Sequence, residues 1–85
     1  MKFEKMLSRS ESKYKYIGIP KKIREENFPE KDKTFSVRFQ DEIFQMSVNN
    51  KNCIMLSQLY TKHKFQEGET LTIIKNKSNF EMSVV

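Results

Sequence analysis

The segments IFQMSV (residues 43–48) and NFEMSV (79–84) stand 36 positions apart in a chain of 85 residues. They agree at Phe, Met, Ser and Val. In both, Phe, Met and Val occupy alternate positions, the period of a strand with one buried face. Carried backwards, the same offset lays TFSV (34–37) on TLTI (70–73), and FPEKDK (28–33) on FQEGE (65–69) with one residue of slack. At offset 37, IPKKIREENF (19–28) falls on LSQLYTKHKF (56–65). The apolar positions keep step throughout: Ile19 with Leu56, Ile23 with Tyr60, Phe35 with Leu71, Val37 with Ile73, Phe44 with Phe80, Met46 with Met82, Val48 with Val84. Alternating strands resemble one another by chance. A register held through strand, helix, loop and two further strands argues instead for a doubled half-unit. Open stacks of repeats need three or more units to bury a core. Two units succeed by closing on each other, which also removes free strand edges. A small barrel is therefore expected.

The remaining segments fit that frame. FEKML (3–7) reads as a strand, SRSESKYK (8–15) as a polar arm, and YIGIP (16–20) as a strand that stops at Pro20. Proline suits the first turn of a helix, so KKIREENF (21–28) reads as two helical turns with Ile23 inward and Phe28 closing the end. TFSVRF (34–39) and IFQMSV flank QDE, a tight hairpin by length. NNKN (49–52) is a polar turn and CIMLS (53–57) a strand. Ser57 can cap a short helix carrying Leu59, Tyr60 and His63 at helical spacing. EGE (67–69) turns the chain into the strand LTIIK (71–75). The arm 8–15 and the turn 49–52 thus occupy related positions, each between the first two strands of its half.

Composition bounds the function. Eighty-five residues suffice for one domain, and 36% hydrophobic content reads as globular. No apolar run approaches a membrane span and MKFEKMLSRS lacks a signal-type apolar block, so an intracellular protein of cytoplasm, nucleoid or nucleus is expected, with no membrane partner. Cys53 is alone and reads as a small buried apolar residue. With one Cys and one His, a structural metal site is not expected, and the five Met read as core filler. The net charge of +5 is unevenly placed. Residues 1–24 hold eight cations (Lys2, Lys5, Arg9, Lys13, Lys15, Lys21, Lys22, Arg24) against Glu4 and Glu11, a balance of +6. Residues 25–48 carry −3 and the remainder +2. A basic end beside an acidic middle suggests a field directed at a polyanion, although a Lys-rich surface can also be plain solvation.

At this point the residues resemble a known family. FEKMLSRSESKYKYIGIPKKIREENFP is similar to the opening of the plant-type B-three DNA-binding domain, with Phe3, Lys5, Leu7 and Ser8, then Ile19, Pro20, Lys21 and Lys22, then Phe28 and Pro29. Leu56, Phe65 and Glu67-Gly68-Glu69 continue the resemblance over nearly the whole chain. IGIPKKIREENFPEKD also resembles the AbrB-type swapped-hairpin family over about half of it. The chain departs from the plant family where Trp is usual: it has none, and Phe44 or Phe80, and Tyr60, stand in those places. The turn NNKN is also short for a second arm. The resemblance implies a mainly β fold, a seven-stranded open pseudobarrel with two short helices and two pseudo-twofold-related strand-strand-helix-strand halves, as a single DNA-binding domain over 1–85.

The same resemblance implies that two arms, Ser8–Lys15 and Asn49–Asn52, grip the major groove of double-stranded DNA. The chemistry of the residues suits this. Arg9, Lys13, Lys15, Lys21, Lys22 and Lys51 can neutralise phosphates, and Arg9 can donate two hydrogen bonds to guanine. Asn49, Asn50 and Asn52 can pair with adenine, and Ser8, Ser10 and Ser12 can donate to phosphate, with Tyr14 in the same arm. Lys21 and Lys22 stand at a helix start, where backbone N–H groups also favour anions. Each feature has a plainer use: NNKN is ordinary turn chemistry, KYKY can be a Lys-protected strand edge, and His63 can be a partly buried helix residue. A small transcriptional regulator, with no enzymatic activity, cofactor or small-molecule substrate, is expected; a homodimer is compatible with it. The competing class is a protein-interaction module, such as an antitoxin or assembly adaptor, whose acidic stretch 25–32 meets a basic partner. An enzyme of the riboflavin kinase-like type would need a Gly-rich phosphate loop, and only Gly18 and Gly68 are available.

Overall fold

The alternation of apolar residues builds the sheet, and the two central hairpins show how. In the computed structural model, which describes residues 1–85, Phe35–Phe39 and Glu42–Met46 pair antiparallel, with Val37 opposite Phe44. The two-residue turn between them, Gln40 and Asp41, has φ of 50° and 64°, the doubly positive pattern that matches the twist of a tight hairpin. Thr70–Asn76 and Asn79–Val84 form the second hairpin, with Ile73 opposite Met82. In both hairpins the buried positions are mostly Phe, Val, Leu, Ile or Met, with polar residues outward; Ile43 and Ile74 are exceptions that face solvent.

In chain order the elements are β1 (Lys2–Met6), α1 (Arg9–Tyr14), β2 (Tyr16–Gly18), α2 (Lys21–Asn27), β3 (Phe35–Phe39), β4 (Glu42–Met46), β5 (Cys53–Met55), a 3₁₀ helix (Ser57–Thr61), β6 (Thr70–Asn76) and β7 (Asn79–Val84). Five strands form one sheet in the order β1-β6-β7-β3-β4, and β2 pairs with β5 in a separate two-stranded ribbon. Ribbon and sheet turn their apolar faces toward each other, and 18 buried residues form a continuous cluster between them. This is a seven-stranded, mainly β open pseudobarrel. No helix is long and apolar enough to cross a membrane.

The two halves meet at the ribbon. Ile17 of β2 lies opposite Ile54 of β5, and the two occupy equivalent positions at offset 37. The flanking bonds are reciprocal: Ile19 N donates to Asn52 O at 2.7 Å, and Leu56 N donates to Lys15 O at 2.8 Å. Lys15 and Asn52, themselves equivalent, both adopt left-handed backbone, with φ of 61° and 57°. A local twofold axis through Ile17 and Ile54 produces all of these correspondences. A second one is aromatic. Phe28, after α2, stacks on Phe80 at 4.8 Å and packs on Phe35, while its equivalent Phe65 packs on Phe39 and Tyr60.

The repeated segments take part in a less literal way than their spelling suggests. Phe44 and Met46 of β4 are buried, as are Phe80 and Met82 of β7. Reversing the order of the five-stranded sheet, however, exchanges β6 with β3 and β1 with β4, leaving β7 alone at the centre. β7 runs antiparallel to β6 and parallel to β3, so it joins the halves rather than repeating a place within one. The second hairpin is also longer. Val37 faces Phe44, yet Ile73 faces Met82, so the offset of 36 between Val37 and Ile73 becomes 38 between their partners.

Three local expectations change. Residues 8–15 are not an irregular arm, because Arg9–Tyr14 is helical. The second short helix is a 3₁₀ turn, and Ser57 begins it without a side-chain cap. Cys53 is only half-buried, its Sγ 3.4 Å from Lys51 O. By contrast α2 has the expected two turns, with Phe28 N donating to Arg24 O at its end.

Because Ile17 and Ile54 are both fully buried and face each other, Ile17→Ala and Ile54→Ala should each cost about 2–4 kcal/mol. The double variant should cost less than the sum, since the two share one contact. Urea unfolding of the three variants checks this; strict additivity would place the two residues in separate packing environments.

Candidate nucleic-acid interface

The first arm is built around a buried acid. Ser8 caps α1: its Oγ accepts from Glu11 N at 3.2 Å, while Ser8 N donates to Glu11 Oε1 at 2.9 Å, a reciprocal capping box. The other carboxylate oxygen of Glu11 accepts from Gly18 N at 2.8 Å and lies 2.7 Å from Lys5 Nζ. Lys5 Nζ also donates to Gly18 O at 3.3 Å. A six-residue helix has little intrinsic stability; here one carboxylate, only 3% exposed, fastens it to β1 and β2. Burial pushes the Glu11 carboxyl up, but the Gly18 amide, the Lys5 ammonium and the Ser8 amide outweigh this and hold it below its ordinary value. Gly18 is tight against the group, since a Cβ there would lie 3.2 Å from Lys5 Nζ and 3.6 Å from Glu11 Oε2.

The far end of α1 is held by the other half of the chain. Tyr60 OH donates to Ser12 O at 3.3 Å, and Lys15 Nζ stands 5.1 Å from the centre of the Tyr60 ring. Burial and the neighbouring Glu69 carboxylate raise the Tyr60 phenol above its ordinary value. Glu69 is itself subject to some burial, but it accepts from Gln66 N and His63 Nε2, which keep it below the usual range. His63 follows the 3₁₀ helix and packs edge-on against Phe65 at 4.9 Å.

The second arm is a plain turn. Asn49 Oδ1 accepts from Lys51 N at 2.9 Å and from Cys53 N at 3.0 Å, and Asn49 N donates to Cys53 O at 2.9 Å. Val48 bridges to Ile54, so this side of the ribbon is closed by backbone. The first half differs: nine residues lie between Leu7 and Ile17, against five between Val48 and Ile54, and the Glu11 carboxylate takes the place of the backbone bridge.

The residues expected to contact DNA fall into two groups. Arg9, Ser10, Lys13, Tyr14 and Lys15 are exposed on the first arm, with Ser12 half-buried. Lys13 Nζ lies 5.3 Å over its neighbour Tyr14. Asn50 and Lys51 are exposed on the second arm, while Asn49 and Asn52 are half-buried. Asn49 spends its carbonyl on the turn, and Asn52 Oδ1 is buried without a protein partner. Lys21 and Lys22 are exposed on α2, which begins just after Ile19, the residue bonded to Asn52; they therefore accompany the second arm. Tyr16 pairs with Met55 and Gly18 with Cys53, so the arms enter opposite ends of the ribbon, about 7 Å apart along the strands. Three cations stand at one end (Arg9, Lys13, Lys15) and three around the other (Lys21, Lys22, Lys51).

Sequence reasoning missed Glu11 and Lys5, which position the first arm without being exposed on it. The signal was present as Ser8-x-x-Glu11, the spacing of a capping box.

No family model matches the chain, and no curated protein matches it in sequence. Solved structures do. The chain superposes on the N-terminal domain of Helicobacter pylori LlaJI.R1 with a TM-score of 0.75 at 8% identity, covering 100% of this chain and 87% of that one. It superposes on the protein of the Arabidopsis FUS3-DNA complex with a TM-score of 0.70 at 16% identity, covering 96% and 93%. The chain has the B-three-type pseudobarrel fold. At these identities the likeness is one of fold, and it extends over essentially the whole chain.

The pseudobarrel's first arm should depend on ionised Glu11. Its carboxyl titrates lower in the folded chain than its ordinary 4.5, so the unfolded chain takes up the proton first. The stabilisation is complete above that value and is lost as pH falls through the folded one. Glu11→Gln should cost about 1–3 kcal/mol at pH 7, with the gap to wild type narrowing in acid. Denaturant unfolding across pH 3–7 checks this; a gap that is constant with pH would contradict it.

Proposed function

We propose that this protein binds double-stranded DNA, with the arms Ser8–Lys15 and Asn49–Asn52 entering the major groove, and that it serves as a small transcriptional regulator. The observation that carries the proposal is the placement of two exposed cationic groups at opposite ends of the β2–β5 ribbon, Arg9, Lys13 and Lys15 on the first arm and Lys51 on the second with Lys21 and Lys22 of α2 beside it. The exposed side chains of both arms lie outside the hydrophobic core and are available to a ligand. Support also comes from the fold it shares with the protein of the FUS3-DNA complex.

The residues then divide by role. Arg9 is the candidate for bidentate donation to guanine, and exposed Asn50 is the candidate for adenine. Lys13, Lys15, Lys21, Lys22 and Lys51 neutralise phosphates, with Ser10, Ser12 and Tyr14 adding neutral contacts along the first arm. Asn49 and Asn52 shape the second arm and reach DNA only through their remaining amide groups. Ser8 and Glu11 act behind the interface, holding α1 at a fixed angle. The competing proposal of a protein-interaction module has less to rest on, because Glu25, Glu26, Glu30 and Asp32 alternate with Arg24, Lys31 and Lys33.

Fluorescence anisotropy with a short labelled duplex should give affinity that falls steeply with salt, about 0.9 in log K per log salt for each phosphate neutralised. Changing Arg9, Lys13 and Lys15 together to Ala should flatten that slope by up to about 3, while Lys77→Ala, in the β6–β7 turn and on neither arm, should leave it unchanged. Salt-independent binding, or none at low salt, would defeat the proposal.

A further inference from the structure

The outward face of the five-stranded sheet carries a row of residues that the arms do not use. Ile74 of β6 lies opposite Glu81 of β7, Glu81 opposite Arg38 of β3, and Arg38 opposite Ile43 of β4. All four are exposed, Ile43 by 54% and Ile74 by 37%, and Arg38 and Glu81 are flanked on both sides by buried residues. Together they border a shallow depression of about 430 Å³. None of the chain's four ion pairs involves Arg38 or Glu81. Two large aliphatic side chains thus stand in water on either side of two unpaired opposite charges.

Read across the strands from β6 to β4, the row is apolar, acidic, basic, apolar, and this stretch is complementary to its own reversal; Lys2 of β1, opposite Ile74, lies beyond it. We propose that this face binds a second copy of the chain, with a twofold axis lying along the strands between β7 and β3. Rotation about such an axis reverses the row. It sets Glu81 against the partner's Arg38, Arg38 against the partner's Glu81, and each of Ile43 and Ile74 against the other. The strands of the two copies then run aligned, the ordinary arrangement of packed sheets. An axis across the strands would instead set like against like, so the charges select the first arrangement.

Magnitudes make this a weak dimer. Four overlapping strands at ~4.8 Å spacing and about five residues of length offer roughly 300 Å² per copy, less than half the usual share of a specific interface. The net charge of +5 on each copy opposes association further. A dissociation constant on the order of 100 μM is the expected scale. The interface leaves both arms clear, so it is independent of the DNA-binding proposal.

Sedimentation equilibrium of the whole chain from 10 μM to 1 mM tests it. Wild type should self-associate, and Arg38→Glu and Glu81→Arg should each weaken this at least tenfold, because each sets like charges together. Mixing the two variants should restore association, since a copy bearing two Glu at these positions then faces one bearing two Arg. That rescue is not expected if the substitutions only disturb each chain's own sheet; circular dichroism confirms that both variants are folded. A wild type monomeric at 1 mM, variants that associate as wild type does, or a folded mixture that stays monomeric would each overturn the proposal.

Discussion

The pairing of β2 with β5 around Ile17 and Ile54 is the contact on which the remainder depends. It is only three residues long on each side, yet it joins the two halves, closes the core against the five-stranded sheet and fixes where both arms begin. The reciprocal bonds from Ile19 to Asn52 and from Leu56 to Lys15 lock each half to the last residue of the other half's arm. An arm so fixed cannot drift without breaking a buried backbone bond, which is costly. Here the constraint that stabilises the fold and the constraint that orients the two arms are the same.

Around that shared centre the halves have diverged in how they finish the ribbon. The second half uses backbone: Val48 bridges to Ile54 and Asn49 folds the turn. The first half inserts a short helix and satisfies the Gly18 amide with the Glu11 carboxylate, neutralised in turn by Lys5. A buried acid is tolerated because every interaction it loses with water is replaced by an amide or an ammonium. The result is a longer, more basic arm on one side and a compact, amide-rich arm on the other. Such asymmetry on a symmetric frame suits a ligand whose two ends differ.

Much of this was legible in the sequence because period-two alternation is strict in β3 and β7, and because Pro20 and Gly68 punctuate the chain at places that the fold then respects. The seven strands, the two-turn helix and the doubled half-unit follow from those signals. What was less legible depends on pairing between distant segments. IFQMSV and NFEMSV share an inward face, but which strand sits at the sheet edge and which at its centre is decided by β7 pairing in parallel with β3, a contact that no local pattern encodes. The helical state of residues 9–14 was hidden by their polarity, since no apolar stripe marks so short a helix. Its one cue was the Ser8–Glu11 spacing, and the cap matters here because Glu11 also reaches Gly18. In the second arm the three Asn looked alike, but the turn engages Asn49, leaves Asn52 half-buried and presents Asn50.

The central claim is that one surface, made of the two arms and the ribbon between them, meets DNA. Amide chemical-shift mapping during titration with a short duplex tests it most directly, since neither arm contains proline and every arm residue carries a backbone N–H. The account predicts perturbations concentrated at residues 9–16, 49–53 and 21–22, reversed by salt. Perturbations centred instead on the outward sheet face at residues 36–38, 43–45 and 79–81, or none at low salt, would contradict it.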